Sequence, residues 1–181
     1  MADVSVRPAR ADDLAEIARI HVETWKWGYR EILPADALDA LSVEAALEAW
    51  GDAVTAPPST RHHVLVALEQ TWRVGFVAVT PAEDLEDDDP DPLTTAAVGP
   101  LLVEPRWARR GHGSRLLAAA IDHARSDGMT RAIAWLPQAD TASQEFLSSA
   151  GWAPDGLARV LDTGAGEVHE IRMHVLLLEA A

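Results

Sequence analysis

The sequence predicts a mixed α/β domain: one sheet with helices on both of its faces. Two observations carry this. Short apolar or alternating runs interleave with amphipathic segments along all 181 residues without an internal repeat. Between Val103 and Leu117 an apolar strand also passes through a proline turn and a glycine-bearing loop straight into a helical pattern, the junction expected where a strand feeds a helix packed on the same sheet. A chain of this length is one domain, able to bury well over half of its unfolded surface.

Val4 to Arg7 alternates as a strand and Pro8 stops it. Asp12 and Asp13 offer a helix cap, with Glu16 three residues after Asp13 in capping-box spacing. Leu14, Ile17, Ala18, His21 and Trp25 then share one helical face, and Trp27, Gly28 and Tyr29 end the helix. Pro34 opens a second helical piece through Leu38 and Leu41, and Val43 to Trp50 forms a further amphipathic segment. After a loop at Pro57, Pro58 and Ser59, Val64 to Leu68 and Trp72 to Val79 read as antiparallel strands joined at Glu69 and Gln70.

Glu83 to Pro92 is acidic and carries two prolines, so self-repulsion and missing donors predict a mobile loop. The Gly and closing Glu of a calcium-binding EF-hand are absent there. Thr95 to Val103 is a buried strand interrupted by Gly99-Pro100. That dipeptide marks a bulge, a place where two strands part, or an edge strand that contains proline. Leu116, Leu117, Ala120, Ile121 and Ala124 give the next helix its apolar face, and Gly128 closes it. Arg131 to Leu136 is a strand and Thr141 to Ala150 a short helix ended by Gly151-Trp152; Arg159 to Leu161 and Val168 to Leu178 form the last hairpin.

The segment Arg109-Arg110-Gly111-His112-Gly113-Ser114 is the most informative part of the chain. Its glycines allow a tight turn that brings backbone N–H groups close to an anion, and the following helix adds its unpaired first-turn donors and positive dipole end. A Walker loop is excluded, because the only lysine is Lys26. A dinucleotide fingerprint is weakly supported, because Leu116 stands where its third glycine belongs and no acidic residue follows about twenty positions on at a strand end. A turn with no ligand remains open at this level.

Together, the Val103-Glu104-Pro105 step, the Arg-Arg-Gly-His-Gly-Ser loop and the Leu-Leu helix resemble the acetyl-coenzyme A binding motif of the GNAT N-acetyltransferase family. Gly111 and Gly113 match the motif glycines, and Ala108 departs from its Gln or Arg position. His21 to Trp25, Tyr29, Ile32-Leu33-Pro34 and Leu38 resemble the family's first helix and acceptor loop, so the likeness spans most of the chain.

The resemblance implies a mostly antiparallel sheet with splayed central strands and an acetyl-CoA cosubstrate. It places the cofactor against Leu102, Val103, Arg109, Arg110, Gly111, His112, Gly113, Ser114, Ser143 and Phe146. The Val103 N–H is expected to meet the developing oxyanion. The family's acid tyrosine, in a pattern resembling Asn-x-x-Ala-x-x-Phe-Tyr, falls on Leu147 in the register Asp140, Ser143, Phe146, Leu147. Tyr29, the sole tyrosine, is therefore the candidate to reach the thiol or the amine, and packing under its loop is the alternative. Glu31 and Glu23 are base candidates by segment alone. His112 reads as a spacer and His21 as a semi-buried histidine; Trp25 and Trp27 are core residues or the walls of an amine pocket.

Composition bounds the rest. A net charge of −14 argues against nucleic acid and anionic membranes as partners; it would favour encounter with cationic amines, and a solvated surface that aids solubility is the alternative. No cysteine is present, which excludes disulfides, thiolate metal sites and a Cys nucleophile, and makes the cytoplasm the default address. No secretory signal is visible at the start of the chain. His62-His63, His169 and His174 lack zinc-site spacing, so no metal is expected. The expected activity is direct acetyl transfer to a primary amine of a small molecule or peptide, with no covalent enzyme intermediate and family habit allowing a homodimer. A non-catalytic acyl-CoA binding or sensing module is the alternative.

Overall fold

The computed structural model describes residues 3–83, 85 and 89–177. Seven strands form one sheet: β1 (Val4–Pro8), β2 (His63–Glu69), β3 (Trp72–Pro81), β4 (Thr95–Val103), β5 (Arg131–Pro137), β6 (Ala153–Asp162) and β7 (Glu167–Leu176). Five helices accompany it: α1 (Leu14–Gly28), α2 (Ala35–Asp39), α3 (Val43–Thr55), α4 (His112–Ser126) and α5 (Thr141–Ser149). The strand order is β1-β2-β3-β4-β5-β7-β6, and every neighbouring pair is antiparallel except β4 and β5.

The helices cover both faces. On one face Leu116, Leu117, Ala120 and Ala124 of α4, with Leu147 of α5, pack on Leu65, Val77, Val79, Ala96, Ala132 and Met173. On the other, Ile17 and Ile20 of α1 pack on Val64, Val66, Phe76 and Leu102. Alternation along each strand sorts its side chains between these two cores.

The expected interruption in β4 is real and has two parts. Between Val98 and Leu101, Gly99-Pro100 stands opposite the single residue Ala78 of β3, a bulge that shifts the register. Just before it β4 leaves β5: their parallel ladder holds only Thr95 with Arg131, Ala96 with Ala132 and Ala97 with Ile133. Both strands continue past that point with a gap between them.

The acidic stretch is anchored on its C-terminal side. The Asp89 side chain is only 2% exposed and bonds Arg131 at 3.0 Å and Arg172 at 2.7 Å, and Asp155 bonds the same two arginines at 2.8 and 2.7 Å. Paired this way, four buried charges satisfy one another. Asp84 and Glu86 to Asp88, on which much of the expected mobile loop falls, lie outside the described residues.

One local expectation is corrected. Asp13 and Glu16 do not form a capping box: Glu16 pairs with Arg19 at 2.9 Å, and the Asp13 side chain gives α1 no cap bond. Asp13 is instead fully buried, accepting from Arg7 at 2.6 and 2.9 Å, Arg73 at 2.8 Å and the Arg10 amide at 2.8 Å. It clamps β1, β3 and the entry to α1. Spacing pointed to the nearer amides, but two guanidinium groups outbid them.

Burial opposes the Asp13 charge, and the bonds from Arg7, Arg73 and the Arg10 amide outweigh that cost, holding its pKa at about 2. Because the folded value lies below the unfolded one, the carboxylate's contribution is complete above about pH 4 and is lost as pH falls through about 2. That contribution is on the order of 2 kcal/mol. Urea unfolding of wild type and Asp13→Asn from pH 6 to pH 2 is expected to show a stability gap that closes on acidification. A gap independent of pH would contradict the clamp.

Candidate active site

The parted strands open onto a cavity of about 420 Å3 that runs through the sheet. Its walls on the α4–α5 side include Leu101, Ser143 and Phe146, and on the α1–α2 side Trp25, Tyr29 and Leu33. Trp135 on β5 and Arg159 and Glu170 on the β6–β7 hairpin close it from below. The antiparallel pattern fixes which way the β4 backbone points here. The Glu104 amide donates to the Val74 carbonyl at 2.9 Å, so residues 104 and 102 bond β3, while the amides of Leu101 and Val103 face the gap. Leu101 and Leu102 line the cavity.

The loop at the start of α4 sits at the edge of this opening. A Cβ on Gly113 would lie 3.5 Å from the Phe146 ring and 3.9 Å from Leu101, so Gly113 packs on two cavity-lining side chains. Gly111 is the N-cap residue of α4 at φ 81°, a left-handed conformation that favours glycine, and Arg109 is also left-handed at φ 63°. No side chain caps α4, and the first intrahelical bond is Arg115 N–H to the Gly111 carbonyl at 3.1 Å. Among the described residues, none of the backbone N–H groups of residues 109 to 114 meets a protein acceptor. Six consecutive donors at the positive end of a fifteen-residue helix make a strong anion cradle.

Side chains brace this loop from behind. Glu69, at the end of β2, accepts from Arg110 at 2.8 Å and pairs with the His112 ring at 2.8 Å. The His112 bond, with help from Arg110, holds the Glu69 pKa below the usual carboxylate range. His112, expected as a spacer, is thus a buried anchor, and Arg110 is turned toward Glu69 while it stacks on Trp107 at 4.9 Å. Arg115 folds back to donate to the Arg110 carbonyl at 3.0 Å.

The candidate catalytic residues part company. Tyr29 lines the cavity, and its hydroxyl donates to Asp140 Oδ2 at 3.1 Å. Burial first, then the charge of Asp140 and the bond to it, then the charge of Glu170, raise the phenol's pKa. Asp140 also caps α5 by accepting the Ser143 N–H at 3.0 Å. Glu31 is not brought to the cavity: its side chain is 84% exposed and lies 3.7 Å from Arg30. Glu23 pairs with Arg19 at 2.6 Å on the outer side of α1. Leu147, at the family tyrosine's position, is buried in the core. His21 accepts from Trp50 Nε1 at 3.0 Å, and burial lowers its pKa.

Sequence reasoning missed two polar groups. Glu170 lines the cavity and bonds Arg159 at 2.7 Å, and Arg159 stacks over Trp135 at 4.2 Å. In the sequence Asp140 stands out only as a register position of the α5 pattern. Among the described residues no cluster of His, Cys, Asp or Glu could hold a metal ion, and no helix is long and apolar enough to cross a membrane.

Comparison with known proteins agrees with this geometry. The uncharacterized N-acetyltransferase YuaI of Bacillus subtilis (strain 168) is 28% identical over 134 residues, covering 74% of this chain and 71% of that protein. The PaiA N-acetyltransferase of Thermoplasma acidophilum, solved in complex with coenzyme A, matches with a TM-score of 0.76 at 17% identity over 95% of this chain and 98% of that one. YncA of Salmonella typhimurium, solved with its cofactor acetyl-CoA, matches with a TM-score of 0.74 at 21% identity over 99% and 97%. These likenesses show the same fold. The model of the acetyltransferase (GNAT) family matches residues 15–152, and with that match the splayed sheet and its glycine loop make this chain a member of the GNAT acetyltransferase family.

Proposed function

We propose that this protein transfers the acetyl group of acetyl-CoA directly to a primary amine of a small molecule or peptide. The observation that carries the reading is the row of unpartnered amides from residue 109 to 114 beside the gap between β4 and β5. Arg109, Gly111, His112, Gly113 and Ser114 would hold the diphosphate through their main chain, and Arg110 keeps the rim basic. Ser143 and Phe146 of α5, with Leu101 and Leu102 of β4, form walls for the pantetheine arm. When bound, acetyl-CoA supplies an activated acyl carbon and a thiol leaving group.

The chain's own residues then have two tasks. The gap-facing amides of Leu101 and Val103 are donors for the carbonyl oxygen as charge develops on it; Val103 is the expected one, and Leu101 additionally lines the cavity. The second task is the amine. A lysine-like ammonium costs about 4 to 5 kcal/mol to deprotonate at pH 7, whereas a thiol with a pKa near 8.5 leaves moderately well without an acid. Loss of the family tyrosine at Leu147 is therefore tolerable, and polar groups near the amine matter more. Tyr29 and Glu170 are the candidates the cavity offers. The acidic net charge and the indole and phenol walls suit a cationic acceptor, and a cytoplasmic site of action fits a chain without cysteine.

A lone Cβ at Gly113 would make only ordinary contact with Phe146, so a methyl group fits there and a larger side chain does not. In titration calorimetry with acetyl-CoA, Gly113→Val is expected to weaken binding by about tenfold or more, because it pushes Phe146 and disturbs several amides at once. Gly113→Ala is expected to stay within about threefold of wild type, and Tyr29→Phe to weaken binding less than Gly113→Val. The reverse order would remove the cofactor from this loop.

Thiol release from acetyl-CoA with a panel of primary amines separates the enzyme from a binding module. Amine-dependent release is expected. Saturable acetyl-CoA binding with no turnover on any amine would instead favour the sensing module.

A further inference from the structure

We propose that Asp140 orients the Tyr29 phenol so that its oxygen serves the acceptor amine and not the departing thiol. The inference rests on the acetyl-transfer reading above and assigns Asp140 as a positioning residue. A phenol has a single proton to give. In Tyr29 that proton is donated to Asp140 Oδ2, at 3.1 Å, so what the hydroxyl has left for the cavity is lone pairs. The ring cannot swing freely to change this, because it packs edge-on against Trp25 with centroids 5.3 Å apart at 86°. Asp140 is equally fixed, its other oxygen accepting the Ser143 N–H at the start of α5.

The charges around Tyr29 point the same way. Asp140 faces it from α5, Glu170 from β7, and Arg159 of β6 is bonded to Glu170. Arg30 and Glu31, its neighbours in sequence, pair with each other in solvent. Asp140 is buried, yet its partners are two neutral donors, the Tyr29 hydroxyl and the Ser143 amide. Among the described residues, two carboxylates and one guanidinium stand around the phenol, which leaves this corner of the cavity negative. A thiolate would be repelled there, whereas an ammonium would supply the cation that Asp140 lacks.

The dyad also gives the amine's proton a route. An ammonium N–H bond breaks and its proton passes to Tyr29 Oη, while the Oη–H proton passes to Asp140 Oδ2. The amine keeps the electron pair, the phenol is regenerated, and the neutral Asp140 carboxyl returns its proton to solvent. The elevated phenol pKa is consistent with a group that is never released as phenolate.

Because Tyr29 is the sole tyrosine, carbon-13 labelling of the phenol carbon gives one resonance to follow. The expected result is that 2-phenylethylamine, added with or without coenzyme A, shifts that resonance, while coenzyme A and desulfo-coenzyme A affect it equally. A resonance that distinguishes the two cofactors and ignores the amine would overturn the assignment, as would one that answers to neither. In the same sample the wild-type phenol should titrate above the usual tyrosine range, and Asp140→Asn should lower its titration point. An unchanged titration would also overturn it. Asparagine still caps a helix, so α5 is retained, and calorimetry with coenzyme A checks the cofactor site separately. Failure of coenzyme A to bind would defeat the acetyl-transfer reading whatever the tyrosine resonance does.

Discussion

The structure depends on a break in its own sheet. A continuous parallel ladder between β4 and β5 would bury every main-chain donor and acceptor, leaving nothing for a ligand. Here the ladder stops after Ala97 and Ile133, with the Gly99-Pro100 bulge next in β4. Proline removes a donor and the bulge reverses which residues face each core, so Leu102 joins the α1 core while Leu101 and Val103 turn to α4. The amides of Leu101 and Val103 are thereby aimed into the gap. An extended ligand can complete the sheet there with main-chain bonds, which specify a backbone-like arm more than any side chain would.

Placement of the helices follows from that gap. α4 follows β4 through the loop of residues 104–111, so its positive end and free amides lie beside the opening, and Gly113 against Phe146 and Leu101 joins loop to cavity wall. Electrostatics are arranged around the same axis. The chain is strongly acidic, yet Arg109 and Arg110 of the loop and Arg115 of α4 stand together, while Glu170 of β7 and Asp140 at the start of α5 flank Tyr29. An anionic cosubstrate and a cationic acceptor would thus be drawn to opposite ends of one channel. Buried ion clusters, Asp13 with Arg7 and Arg73, and Asp89 and Asp155 with Arg131 and Arg172, tie the outer strands into this frame.

Much of this was legible in the sequence, for reasons of range. Strands and helices follow local periodicity, and β4 spans the expected Thr95 to Val103. The loop proposed to hold the diphosphate is a contiguous segment whose donors belong to its backbone, so six adjacent residues are enough to suggest that role. What stayed hidden is non-local. Tyr29 meets Asp140 across 111 positions, and His112 meets Glu69 across 43. Glu31 shares a segment with Tyr29, but the turn after α1 sends its side chain to solvent. Asp13 matched a capping pattern, and the two arginines that claim it come from strands the pattern does not see. Glu170 has no local signal at all, since only the pairing of β7 with β5 and β6 carries it to the cavity floor.

The central claim is that the main chain of residues 109 to 114 grips the diphosphate of the cosubstrate. Residue-resolved amide hydrogen exchange with and without coenzyme A tests it most directly. The account predicts that these six amides exchange quickly in the free protein and become protected on binding, together with the gap-facing amides of Leu101 and Val103. Saturating coenzyme A that leaves the six unprotected would contradict it.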